Sequence, residues 1–176
     1  MLKTGIISII IGILCLVYAG ALYAQRSNPT RLNFTETPTQ KPVISGKILP
    51  SRLVISAVNI DLPVVPSEII EGEWETTDKG VSYLKSSPLP GDRGNSIMYG
   101  HNWESLLGSL TRVKAGDTMT VEYSDGEKKT FVIAGIMTVT PDQTHILNPT
   151  SDRRITLYTC TGFMDSKRLV VVAVLQ

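Results

Sequence analysis

The sequence predicts an all-β domain carried behind one apolar helix, and three observations predict it. Gly5 to Ala24 is an unbroken apolar run of about the length that spans a bilayer. From about Arg52 onward, roughly seven or eight short runs of Val, Ile, Leu, Thr and Tyr alternate with turns containing Gly, Pro and Asp. That part of the chain has little helical periodicity and no internal repeat. Short strands at this spacing close into a small β-barrel or stack as a sandwich.

Composition narrows the function classes. The chain has 176 residues, enough for one domain with a proper core once the N-terminus is set aside. Leaving out Lys3, 16 basic residues face 16 acidic ones, interspersed along the chain. There is no basic excess and no zinc-finger or RRM signature, so a nucleic acid is excluded as partner. Cys15 lies inside the apolar run and Cys160 far beyond it, which gives no disulfide framework.

Residues 1–25 read as an N-terminal membrane anchor. The apolar run is longer than an ordinary signal-peptide core, although Ala19-Gly20-Ala21 has the small-residue pattern of a cleavage site. Either way the bulk of the chain is exported. The expected location is the cell membrane, single-pass, with the folded domain extracytoplasmic. Residues 26–50, rich in Thr, Ser, Asn and Pro, read as an extended linker.

The folded domain is expected over 51–176. Leu53 to Ser56 is a first strand, and Ile60 to Val65 an edge or bent segment because Pro63 cannot donate to a ladder. Glu68 to Lys79 reads as a polar loop around Trp74, and Val81 to Leu84 as a short strand before a turn-rich stretch. Ser96 to Tyr99 is a strand ending at Gly100-His101-Asn102, and Ser105 to Leu110 makes one helical turn. Thr118 to Tyr123 and Thr130 to Thr140 flank Ser124-Asp125-Gly126 as a hairpin. Thr156 to Thr159 leads to Cys160 at a strand end, Thr161-Gly162 breaks the pattern, and Leu169 to Leu175 is the last strand.

Three side chains have the chemistry of a cysteine enzyme. A thiol of pKa near about 8.5 is mostly protonated at neutral pH and needs help to become the nucleophile. It also needs a proton donor for the leaving group and a group to hold the oxyanion. Cys160 is the nucleophile candidate, His101 at a strand mouth the acid/base candidate, and Arg168 at the start of the last strand a permanent positive charge. Each has a plainer reading: a small buried core residue for Cys160, a solvated loop side chain for His101, a surface charge beside Lys167 for Arg168. His145, mid-loop among polar residues, reads as solvated.

Thr156-Leu157-Tyr158-Thr159-Cys160 resembles the T-L-x-T-C signature of sortases, the membrane-anchored cysteine transpeptidases of bacterial surfaces. Ser96-Ile97-Met98-Tyr99-Gly100-His101 is similar to the family's histidine-bearing strand and loop, and Arg168-Leu169-Val170-Val171 to its arginine-bearing last strand. The similarity runs from about Arg52 to the C-terminus. It implies an eight-stranded β-barrel with short helical turns and a groove for an extended LPxTG-like sorting peptide. It further implies that Cys160 forms a thioacyl enzyme, that His101 protonates the leaving amine and then deprotonates the incoming one, and that Arg168 positions the peptide or stabilises the oxyanion. Thr159 matches a threonine that lines the groove. The implied partners are a surface protein with a C-terminal sorting motif and an amine acceptor, either a cell-wall precursor or a pilin lysine. No metal or organic cofactor is implied, and no acidic cluster for calcium is evident. Papain-like and caspase-like contexts around the cysteine are missing, and L,D-transpeptidases carry His and Gly where this chain has Tyr158-Thr159. The alternative from another class is a non-catalytic, membrane-tethered β domain that binds a peptide or glycan, with Cys160 buried.

Overall fold

The computed structural model describes residues 2–26, 32–35 and 48–176. Helix α1, Leu2–Arg26, opens the chain. Its Gly5–Ala24 stretch of 20 residues is long and apolar enough to cross a membrane, and none of it is buried against the rest of the protein. At 1.5 Å per residue it spans about 30 Å, the thickness of a hydrocarbon core.

Ten strands follow: β1 Pro50–Ile55, β2 Ile60–Ser67, β3 Ile69–Ile70, β4 Glu73–Trp74, β5 Val81–Leu84, β6 Gly94–Gly100, β7 Thr118–Tyr123, β8 Lys128–Val139, β9 Arg153–Thr161 and β10 Lys167–Leu175. Eight close into a barrel in the order β1-β2-β5-β6-β9-β10-β8-β7, with β7 returning to β1. Short 3-10 turns at 56–58, 108–112, 144–147 and 163–165 join them. The expected all-β barrel with short helical turns is therefore what forms, and the hairpin of β7 and β8 pairs as its turn residues predict.

Two local expectations differ. Pro63 does not mark an edge, because a closed barrel has none here. β2 pairs antiparallel with β1 through residues 60–63 and parallel with β5 through residues 64–67, so Pro63 sits where the strand changes partner. A missing N–H costs least at such a switch. Gly80 fits against that point because a Cβ there would lie 2.1 Å from the Pro63 carbonyl oxygen. The second difference is Glu68 to Lys79, which is a covering element and not only a polar loop. Glu71 and Gly72, both at positive φ, make a tight two-residue turn between β3 and β4. That turn places Ile69 opposite Trp74, and Trp74 is buried. Two-residue strands are too short to show period-two alternation, so the sequence carries no pattern there.

Side-chain alternation sorts the long strands between two apolar clusters. Met98 of β6, Ile155 and Leu157 of β9, and Leu169, Val171 and Ala173 of β10 join residues from the other five strands inside the barrel. Ile97, Tyr99, Tyr158, Cys160 and Val170 point the other way, into a second cluster on the outer face. Trp74, Leu147, Leu32 and Phe34 cover that face. Of the stretch read as a linker, 27–31 and 36–47 lie outside the described residues, whereas Leu32 to Thr35 pack on the barrel with Leu32 1% and Phe34 5% exposed.

Leu157 tests the interior assignment. It is fully buried on β9, so Leu157→Ala is expected to cost about 2–5 kcal/mol through lost transfer energy and a cavity. Thermal unfolding of the full chain reads it. An unchanged midpoint would place Leu157 outside the core.

Candidate active site

The site is built by strand pairing. β6 and β9 are parallel neighbours whose last register pair is Gly100 with Thr159. His101 and Cys160 come next on the two strands, so both arrive at the same mouth of the barrel. β10 runs antiparallel to β9 and starts at that mouth, with Arg168 directly opposite Cys160. Facing residues of a ladder point their side chains to the same side. The pairing thus gathers Cys160, His101 and Arg168 from three strands. Thr159 points to the opposite side of β9 from Cys160. It is buried, and its hydroxyl donates to the Gly100 carbonyl at 2.7 Å, tying the cysteine strand to the histidine strand.

Each of the three is enclosed. Cys160 is 5% exposed, Arg168 3% and His101 9%. The His101 ring stacks on Trp103 at 4.4 Å between centroids and 7° between planes. The Arg168 guanidinium donates Nη1 to the carbonyls of Asp165 (2.9 Å) and Lys167 (3.0 Å), and Nη2 to the carbonyl of Asn33 (2.9 Å). Its Nε is buried with no partner among the described residues. The loop between β9 and β10 supplies a second clasp, for the Asn102 amide Nδ2 donates to Asp165 Oδ1 at 3.1 Å. Asp165 and its neighbour Met164 both hold positive φ, 58° and 54°. Such conformations are costly for residues other than glycine and persist where the surroundings enforce them. Here Asp165 is held at both its carbonyl, by Arg168, and its side chain, by Asn102.

An aromatic wall borders the thiol. Tyr158 stacks on Tyr99 at 5.5 Å, and Trp74 meets both edge-on at 5.9 and 5.1 Å. Burial holds the Tyr158 phenol well above its ordinary pKa, with the Tyr99 phenol adding to the shift and Arg168 opposing it. Burial likewise pushes Tyr99 to about 12. Both rings therefore stay neutral.

A sortase domain model matches residues 53–176. The chain belongs to the sortase family. Sortase A of Bacillus anthracis is 28% identical to it over 129 residues, which cover 69% of this chain and 57% of that relative's length. Solved sortases share the fold. Sortase A from Corynebacterium diphtheriae superposes with a TM-score of 0.65 at 24% identity, covering 92% of this chain and 85% of that one. Sortase C-1 from Actinomyces oris gives 0.64 at 24% identity, covering 89% and 98%. Sortase C of Clostridium perfringens, solved with the C-terminal cell wall sorting motif, gives 0.60 at 22% identity, covering 73% and 70%.

In this sortase His145 is exposed on the 3-10 turn 144–147, away from any strand end. Among the described residues no group of three or more His, Cys, Asp and Glu side chains is disposed to hold a metal ion. Asn33, Phe34, Trp74 and Asp165 belong to the surroundings of Cys160 and Arg168 and carry no motif. Asp165 follows a glycine-led break and resembles any turn aspartate until the register of β9 and β10 brings it under Arg168.

His101 makes the site sensitive to acid. Burial lowers its pKa from the ordinary histidine value, while Asp78 and then Asp165 pull it back up. The fold favours the neutral ring, so the unfolded chain takes up the proton at higher pH than the folded one. Stability is therefore fully present above the ordinary histidine pKa and is lost as pH falls through that value toward the lowered one. Thermal midpoints measured between about pH 7 and pH 5 are expected to fall less for His101→Gln than for the wild type. Equal slopes would mean that His101 is not the group responsible.

Proposed function

We propose that this sortase is a cysteine transpeptidase that cleaves an LPxTG-like sorting signal and transfers the protein to an amine. The observation that carries the proposal is the arrival of Cys160 and His101 on the ends of parallel neighbours β6 and β9, with Arg168 facing Cys160 across the β9–β10 ladder. In this reading the neutral His101 ring takes the Cys160 thiol proton as Sγ attacks the carbonyl before the scissile bond, and the Arg168 guanidinium stabilises the oxyanion or positions the peptide. The C–N bond breaks as the His101 imidazolium gives its proton to the leaving amine, which leaves a thioacyl enzyme. An incoming amine then attacks the thioester carbon, loses its proton to His101, and releases the Cys160 thiolate. Thr159 acts through its bond to the Gly100 carbonyl, by holding the two strand ends together.

The wider assignment follows the same reading. Residues 1–25 anchor the chain in the cell membrane, 26–50 lead to the barrel, and 51–176 do the chemistry on the extracytoplasmic side. The acceptor is a cell-wall precursor or a pilin lysine, and the donor a surface protein with a C-terminal sorting motif. The burial of Cys160 favours one second reading, a tethered β domain that binds a peptide or glycan without chemistry.

The test uses the full chain in detergent with a panel of LPxTG-like peptides and an added amine. Mass spectrometry of protease fragments looks for peptide joined to Cys160, and chromatography for the ligated product. An adduct on Cys160 that the amine discharges is the expected result. No adduct and no ligation with any peptide, in a folded chain whose Cys160 no small thiol reagent labels either, would remove the transpeptidase reading in favour of the binding one.

A further inference from the structure

His101 and Arg168 come from different elements, and one residue of the turn between β9 and β10 connects them. The Asp165 carbonyl accepts from Arg168 Nη1 at 2.9 Å, and its carboxylate Oδ1 accepts from Asn102 Nδ2 at 3.1 Å. Asn102 directly follows His101 in the chain. Arg168 in turn faces Cys160 across the β9–β10 ladder. The three reacting groups are thus closed into a ring of contacts that runs from His101 through Asn102, Asp165 and Arg168 to Cys160.

Both ends of the bridge are fixed locally. On the histidine side, the Leu107 N–H donates to the His101 carbonyl at 3.1 Å, the Leu106 and Gly108 N–H groups donate to the Trp103 carbonyl at 2.9 and 2.8 Å, and the His101 ring stacks on Trp103. These contacts lie within one segment, and the Asn102–Asp165 bond joins that segment to the β9–β10 turn. On the other side, the Asp165 N–H donates to the Gly162 carbonyl and the Ser166 N–H to the Phe163 carbonyl, both at 3.2 Å. Met164 and Asp165 hold φ of 54° and 58°, a region that residues with a Cβ seldom occupy.

We infer that Asp165 is a positioning residue of the reaction: joined to Asn102 and to Arg168, it sets where His101 and the guanidinium stand about Cys160. The inference rests on the proposed function and adds to it a residue beyond the three that do the chemistry. Its charge serves the same end. Cys160 and Arg168 share the mouth with His101, and two carboxylates act on the ring: Asp78, from the segment between β4 and β5, and Asp165. Both oppose the burial that lowers the His101 pKa. A histidine that takes a proton from the thiol and then gives one to an amine works best with both forms within reach.

The experiment uses the full chain in detergent on a His145→Gln background, which leaves His101 as the sole histidine. NMR of the labelled imidazole follows its titration, and ligation kinetics give kcat and KM. Asp165→Asn keeps an acceptor for Asn102 and a carbonyl for Arg168 and removes only the charge. The His101 titration is expected to move to lower pH in this variant, and the acid limb of kcat/KM to follow it. Asp165→Ala and Asn102→Ala are each expected to lower kcat by about tenfold to a hundredfold with KM little changed, the usual scale for a displaced reacting group. Both cut the same bond, so the double variant is expected to lose no more than the worse single one. Leu157→Ala, which loosens the core without touching this contact, is expected to leave the titration in place.

A folded Asp165→Ala chain with wild-type kcat, losses that multiply in the double variant, or a titration that Leu157→Ala moves as far as Asp165→Asn does would each overturn the inference. The two readings fail differently. A wild type that ligates nothing removes the proposed function and with it any part for Asp165 in turnover. An active wild type whose His101 titration and kcat ignore Asp165 removes the positioning role alone.

Discussion

Cys160→Ala is expected to abolish the peptide adduct and to reduce ligation to background, a loss on the order of the 10⁶-fold seen when a covalent nucleophile is deleted. The thioacyl bond has no other sulfur to form on, since Cys15 lies on α1 within the apolar stretch Gly5–Ala24. The cost to folding is small by comparison. Cys160 sits in the outer cluster beside Tyr158 and Val170, and alanine removes one sulfur atom from a face already covered by several aromatic rings. Thermal unfolding of the variant is expected to stay close to the wild type, so lost activity reports on the nucleophile itself. Ligation that persists in a folded Cys160→Ala chain would sink the proposed mechanism, whatever the motif tested.

Arg168→Ala is expected to lower turnover by about 10²–10³, the usual effect of removing one oxyanion donor. It also has a structural cost. The buried guanidinium serves the carbonyls of Asp165, Lys167 and Asn33, and losing it strips those acceptors of their donor, at about 1–3 kcal/mol for a buried group left unsatisfied. The two effects separate with Arg168→Lys. A lysine keeps the charge but has no planar fork, so it cannot hold the β9–β10 loop with one nitrogen and reach a peptide carbonyl with another. The lysine variant is expected to recover thermal stability in part while turnover stays low. If the alanine variant folds and retains wild-type turnover, Arg168 has no part in the reaction.

These expectations trace back to features of unequal visibility. The hairpin of β7 and β8 was readable because Ser124-Asp125-Gly126 separates two alternating runs. β5, β6, β9 and β10 were readable because β-branched and aromatic residues cluster in them. The ribbon of β3 and β4 was not readable, since two-residue strands have no period and Glu71-Gly72 is a weak turn signal. Nor was the burial of Leu32 and Phe34, because two apolar residues within a run of Thr, Asn and Pro carry no pattern of their own. What buries them is a surface made elsewhere, by Trp74 and Tyr158. Pro63 was legible as a break in a ladder. That the break falls between two partners, β1 and β5, depends on closure of the barrel.

By itself the sequence determined the class of the fold, the apolar helix in front of it, and the residue types able to act: a thiol and an imidazole near strand ends and a guanidinium at the head of the last strand. Those follow from local chemistry and short-range period, which neighbouring residues carry in full. Tertiary structure alone decided that β6 pairs parallel with β9, that Arg168 stands opposite Cys160 with Asp165 beneath it, and that Asn33 reaches back to hold the same guanidinium. Each of these is a contact between segments distant in the chain. Their geometry is set by strand register and barrel closure, and no stretch of sequence contains either one alone.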